Sequence, residues 1–215
     1  MSSLNQLADA VYRGDFAGVK DSTQKFLDSG VAPLTIINEG LIEGMNIVGP
    51  KFKAGEMFVP EVMMSAKAMH CGLDLVKPFI NDADVPSKGT VCIGTVAGDL
   101  HDIGKNLVIM ILGSSGFNVI DLGVDVSVER FVDAVKEYNP QIIGMSALLT
   151  TTMPAMKDVI QALEEEGLRK NVKIIIGGAP LSESFSDQIG ADGYAADAMI
   201  AKELCEKLVA ALAAA

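Results

Sequence analysis

His101 is one of two histidines in a chain of 215 residues, and it stands two positions after Asp99 and directly before Asp102. An imidazole with a carboxylate so close can do three kinds of work. It can be a structural histidine satisfied by a hydrogen bond at a helix start. It can be a general base backed by Asp99, although no Ser or Cys nucleophile adjoins it and no Gly-x-Ser-x-Gly elbow occurs. It can also ligate a metal through one ring nitrogen while Asp99 holds the other N–H. A lone histidine cannot complete the ligand set of a bare zinc ion, but a metal that brings its own equatorial ligands removes that objection. The loop around it, Ala97-Gly98-Asp99-Leu100-His101-Asp102-Ile103-Gly104-Lys105-Asn106, is not a nucleotide motif. Gly94, Gly98 and Gly104 lack the dinucleotide spacing, and Lys105 is followed by Asn106 where a P-loop requires Ser or Thr.

The elements that must position this loop have two different periodicities. In the N-terminal part, Leu34, Ile37, Leu41, Met45 and Val48 recur at helical spacing after Pro33, and Phe16, Val19, Phe26 and Leu27 do so after Asp15 and before Gly30. Ala8 and Val11 belong to a first helix after Ser3. Val59, Val62, Met63, Ala66, Met69 and Leu73 belong to a fourth near Pro60, which also carries His70, read as a satisfied helix or surface histidine. These four amphipathic helices predict a bundle over residues 1–88, ending in a polar, Pro-containing linker at 81–88.

Residues 89–215 read differently. The runs Thr90–Val96, Asn118–Asp121, Gln141–Ser146 and Lys173–Ile176 are β-branched and nearly continuously apolar, as strands covered on both faces are. Helical segments Lys105–Leu112, Val128–Tyr138, Met156–Glu165 and Ala198–Leu212 alternate with them, and Gly193-Tyr194-Ala195 can add a short fifth strand. The expected fold is α/β: a four-helix bundle followed by a flavodoxin-like, Rossmann-type doubly wound parallel sheet in the order 2-1-3-4-5. Its ligand crevice lies at the carboxyl ends of strands 1 and 3, hence at the loops after Val96 and Ser146.

Composition narrows the class. The chain is 49% hydrophobic and 21% charged, which suits a large core, and its formal net charge of -11 argues against nucleic-acid binding. No apolar run reaches membrane-span length and no signal-peptide core precedes the first helix, so a cytoplasmic protein is expected. Cys71, Cys92 and Cys205 lack C-x-x-C spacing and read as reduced, buried thiols.

Taken in order, Asp99-Leu100-His101-Asp102-Ile103-Gly104, Ser146-Ala147-Leu148 and Gly177-Gly178 resemble the D-x-H-x-x-G, S-x-L and GG signature of base-off, His-on corrinoid proteins. The helical part, with Val48-Gly49-Pro50-Lys51-Phe52-Lys53-Ala54-Gly55-Glu56-Met57-Phe58-Val59-Pro60, is similar to the cap domain of cobalamin-dependent methionine synthase. The likeness spans nearly the whole chain. It is strongest to the small corrinoid proteins of methylamine, betaine, methanol and methoxyaromatic methyltransferase systems.

The resemblance implies a cobalamin or related corrinoid cofactor with His101 as lower axial cobalt ligand, supported by Asp99 and by a relay hydroxyl at Thr152, with Thr150 and Thr151 as neighbouring hydroxyls. It implies a slot for the displaced nucleotide tail lined by Gly104, Ser146, Leu148, Thr150, Gly177, Gly178, Tyr194 and Ala195. Phe52, Val59 and Val62 would cover the upper cobalt face. The implied activity is methyl carriage: cobalt(I) takes a methyl group from a small donor on a substrate-specific methyltransferase and yields it on a second methyltransferase, with tetrahydrofolate or coenzyme M as acceptor. A reductive activation protein is a further implied partner, and the cap would move about the 81–88 linker. Two rivals share the cofactor domain, an adenosylcobalamin-dependent isomerase subunit and a cobalamin sensor. A radical-substrate barrel and a DNA-binding output module, which these would need, are not legible in the chain.

Overall fold

A computed structural model of the protein describes residues 3–80 and 87–213. Positions 81–86 of the expected linker lie outside the described residues. The chain divides into two compact units, Met1–Pro86 with Ser114–Gly116, and Ser87–Gly113 with Phe117–Ala215.

The first unit is helical. Ser3 closes a capping box with Gln6 at the start of α1 (Leu4–Tyr12), and the Asp15 carboxylate accepts the Gly18 N–H at 2.9 Å to start α2 (Phe16–Asp28). Pro33 opens a longer helix that differs from the regular stripe expected. It comprises α3 (Pro33–Thr35), a π-helical stretch over Ile36–Ile42, and α4 (Glu43–Lys53). The buried side of this stretch carries Ile36, Ile37, Gly40 and Leu41. Gly40 and Gly44 let this helix press on α1, where a Cβ would run into Leu7 and Val11 respectively. In α5 (Val59–Val76) the buried face holds Val62, Ala66 and Met69, whereas Val59, in the first turn, is 39% exposed and His70 is exposed.

The second unit is a parallel sheet in the order β2-β1-β3-β4-β5, as expected. Its elements are β1 (Thr90–Val96), α6 (Ile103–Ser114), β2 (Asn118–Val126), α7 (Val128–Tyr138), β3 (Ile142–Ser146), α8 (Pro154–Glu165), β4 (Lys173–Gly177), α9 (Glu183–Ile189), β5 (Gly193–Ala195) and α10 (Ala198–Ala213). Side chains alternate between two cores. Cys92, Ile143, Ile174 and Ile176 join Phe131, Met156 and Leu163 of α7 and α8 on one face. Val91, Ile93, Ile142 and Ile175 join Leu112 and Cys205 of α6 and α10 on the other. Burial on both faces is the reason the strand sequences are continuously apolar; each fully buried Ile or Leu contributes about 1.5–3 kcal/mol of transfer free energy.

Three further features depart from the sequence reading. The seven-residue α9 was not anticipated, because it is short and carries only Ile189 and Ser186 as buried contacts. Strand β2 continues past Asp121 to Val126, through register shifts against β1 that break the alternation. Cys71 is half-buried, while Cys92 and Cys205 are buried as expected; all three are free thiols.

Candidate functional site

The parallel register lines up the carboxyl ends of the strands. Thr95 pairs with Ser146, Ser146 with Gly177, and Gly177 with Ala195, so residues from four strands stand in one row. Since β1 has β2 on one side and β3 on the other, the row begins at the topological switch point where such sheets take ligands.

The chain leaves β1 in a tight turn: the Asp99 N–H donates to the Val96 carbonyl at 3.1 Å, with Gly98 at φ +80°. That positive φ at the third turn position is the type II pattern and favours glycine. The turn delivers Asp99 into the protein, 0% exposed, and its two carboxylate oxygens divide their work. Oδ1 accepts from His101 Nδ1 at 2.7 Å and from the His101 backbone N–H at 3.1 Å. Oδ2 accepts from the Leu148 and Leu149 N–H groups at 2.8 and 3.1 Å and from the Thr152 hydroxyl at 2.8 Å. Burial pushes the Asp99 carboxyl up, but the bonds from Leu148, His101 and Thr152 outweigh it and hold the group well below the usual carboxylate range. Asp99 is therefore an anion wherever the fold persists near neutrality.

An anion facing Nδ1 makes that nitrogen the protonated one in the neutral imidazole, and the Nε2 lone pair is left free. Among the described residues, no protein group bonds Nε2, and the His101 side chain is 51% exposed. The buried Thr95 hydroxyl donates to the His101 carbonyl at 2.9 Å, fixing the backbone as well as the ring. Immediately after the loop, Lys105 is 3% exposed and bonds Asp121 Oδ1 of β2 at 2.6 Å, tying the start of α6 to the sheet.

Among the expected site residues, Thr152 reaches Asp99, whereas Thr150 and Thr151 are exposed. Thr152 is buried at 8% exposure, and the Leu149 carbonyl lies within reach of the same hydroxyl at 2.9 Å. Ser146 and Gly177 are half-buried in the strand-end row, and Ala195 is buried there beside half-buried Tyr194. Gly178 has φ +137°, and a Cβ on it would collide with the Ala147 carbonyl oxygen. Gly104 is exposed in the first turn of α6 with open space around it, and Leu148 is 43% exposed. Phe52, Val59 and Val62 belong to the helical unit, where Phe52 is half-buried, Val59 exposed and Val62 buried. Sequence reasoning missed Thr95 and the backbone donors of Leu148 and Leu149. Main-chain donors leave no side-chain signature, and Thr95 reads as one more strand residue.

The donor set discriminates among metals. No group of three or more His, Cys, Asp or Glu able to hold an ion exists among the described residues. A carboxylate-oriented imidazole with an unbonded Nε2 does not by itself hold a bare metal ion, but it would suit a metal already chelated in a macrocycle. Leu100 and Ile103, 71% and 87% exposed, flank the histidine with apolar surface of the kind such a ring would cover.

A parallel sheet with one oriented histidine at its switch point is an α/β protein with a candidate ligand site, and sequence comparison identifies its family. Residues 89–202 and 3–77 each match a B12 binding domain, and the chain belongs to that family of corrinoid proteins. It is 45% identical over 208 residues to dimethylamine corrinoid protein 1 of Methanosarcina acetivorans, covering 96% of this chain and 97% of that one. It is 43% identical over 212 residues to a corrinoid protein of Desulfitobacterium hafniense, covering 97% and 98%. Among solved structures it matches the methanol:cobalamin methyltransferase complex MtaBC of Methanosarcina barkeri with TM-score 0.89 and 34% identity, over 96% of this chain and 79% of that one. A cobalamin-binding protein of D. hafniense matches with TM-score 0.79 and 34% identity, over 97% and 99%. No described helix is long and apolar enough to cross a membrane.

Proposed function

We propose that this corrinoid protein is a methyl carrier in a multicomponent methyltransferase system, holding its cofactor in the base-off, His-on mode with His101 as lower axial ligand. When bound, the corrinoid supplies a cobalt centre that accepts a methyl group from a small methylated donor and gives it up to an acceptor. The protein's residues hold and tune that centre. Asp99 orients the imidazole with Nε2 outward, Thr152 and the Leu148 and Leu149 amides help keep Asp99 anionic, and Thr95 holds the His101 backbone. The row of Ser146, Gly177 and Ala195, with Leu148, Gly178 and Tyr194 beside it, is assigned to the nucleotide tail, because small residues at strand ends admit close approach of a ligand to backbone.

The single observation that carries this reading is the Asp99-held His101 with an unbonded Nε2 at the switch point. Similarity to a dimethylamine corrinoid protein and to the methanol:cobalamin methyltransferase complex supports a methyltransferase as donor-side partner. A second methyltransferase, using tetrahydrofolate or coenzyme M, and a reductive activation protein complete the proposed set of partners. Residues 1–88 are proposed as a cap unit, to which Phe52, Val59 and Val62 belong, and 89–215 as the corrinoid-carrying part. Reconstituting wild type and His101→Ala with cobalamin and recording electron paramagnetic resonance of the cobalt(II) form tests the assignment. Wild type should show axial coupling to one imidazole nitrogen that the variant lacks; identical spectra would refute it.

A further inference from the structure

Asp125 lies at the carboxyl end of β2 with φ +52°, one of two non-glycine residues with positive φ among those described. Such a conformation is strained for an L-residue, least so for Asn and Asp, and it persists only where the surroundings require it. The requirement here is a bulge. Gly94 of β1 pairs with Gly123 and Val96 with Val126, so Val124 and Asp125 stand opposite the single residue Thr95. The extra residue swings Asp125 over the turn that leaves β1. Its Oδ1 accepts the Gly98 N–H at 2.6 Å, and its own N–H donates to the Asp99 carbonyl at 3.0 Å.

Asp99 is thus gripped from two sides. Its carboxylate is held from the β3 side by Leu148, Leu149 and Thr152, and its main chain from the β2 side by Asp125. We infer that Asp125 is a positioning residue for the axial histidine: it clamps the Gly98–Asp99 turn and thereby sets where Asp99 presents the His101 ring. The inference rests on the reading of His101 as cobalt ligand. Asp125 itself is exposed, so replacing it opens no cavity and its effect on folding is separable from its effect on the ligand.

Three substitutions distinguish the clamp from a merely structural bulge. Asp125→Gly accepts the positive φ without strain but loses the carboxylate. Asp125→Ala loses the carboxylate and keeps the strain. Asp125→Asn tolerates the backbone and retains an oxygen able to accept the Gly98 N–H. In the corrinoid-free protein, amide hydrogen exchange at Gly98 should accelerate roughly 10-fold or more in the Gly and Ala variants and stay near wild type in Asn. Loss of outer-shell support typically weakens a metal site by 10–100-fold, so cobalamin affinity should fall by about 10-fold in Asp125→Gly and be largely restored in Asp125→Asn. The axial nitrogen coupling of cobalt(II) should weaken in parallel, while the thermal midpoint of Asp125→Gly stays at or above that of Asp125→Ala. Wild-type exchange at Gly98, or wild-type coupling and affinity, in Asp125→Gly would overturn the inference. A wild-type protein without axial nitrogen coupling would instead remove the His101 reading, and with it the link from Asp125 to cobalt.

Discussion

Asp99 Oδ1 lies 2.7 Å from His101 Nδ1, and the same oxygen accepts the His101 backbone N–H at 3.1 Å. The carboxylate therefore fixes both the ring and the peptide of the residue it orients, while its other oxygen is saturated by β3-side donors. The Asp99–His101 pair leaves Nε2 as its unbonded nitrogen.

Protonation of Asp99 should be visible in stability. Its carboxyl is held below the ordinary value, so the fold binds that proton more weakly than the unfolded chain does. The associated stabilisation is fully present above the unfolded pKa of about 3.9 and is lost as pH falls through the lower folded value. Asp99→Asn places an NH2 group where every partner of one oxygen is a donor, at a cost on the order of 1–3 kcal/mol near neutrality. Urea unfolding at neutral and acid pH should show wild type losing stability faster than the variant as pH drops, the gap narrowing. Parallel curves would mean that Asp99 is not held as an anion.

Gly178→Ala should destabilise the cofactor unit by roughly 3 kcal/mol, since it combines a strained φ with a collision against backbone that cannot move aside. Gly177→Ala should be milder, because its Cβ would approach the Ala195 carbonyl only to 3.1 Å. Chemical denaturation of the two variants checks the order, and equal losses would contradict the strand-end geometry described above.

The thiols should separate by burial. Burial pushes Cys92 up to about 11 and Cys205 up to about 12, so neither supplies thiolate near neutral pH in the folded state. Cys71, half-buried, should be the residue alkylated by iodoacetamide in native protein, with Cys92 and Cys205 reacting at least an order of magnitude more slowly until urea unfolds the chain. Raised folded values also mean that stability contributed by these thiols declines as pH rises above the unfolded value of about 8.5. Peptide mass mapping after timed alkylation reads the outcome, and early labelling of Cys205 would contradict its burial.

The strands Thr90–Val96, Ile142–Ser146 and Lys173–Gly177, and their order in the sheet, were legible in the sequence because burial on both faces writes a continuous apolar run and alternation with helices dictates parallel pairing. His101 and Asp99 were legible because one of only two histidines, with a carboxylate two residues before it, stood just past the end of the first such run. The π-helical turn at Ile36–Ile42 was hidden, since a locally wider helix leaves the apolar spacing almost unchanged. Thr152 was named by the resemblance, with Thr150 and Thr151 as neighbouring hydroxyls, and the turn after β3 is what aims it at Asp99. Asp125 was silent in the sequence. Its partners Gly98 and Asp99 are 27 and 26 residues away, their contacts to it are main-chain groups, and a bulge in β2 is what brings them together. Residue types and spacing thus decided the strands, their pairing and the identity of the imidazole, whereas long-range backbone hydrogen bonds, which no side-chain pattern encodes, decided how that imidazole is held.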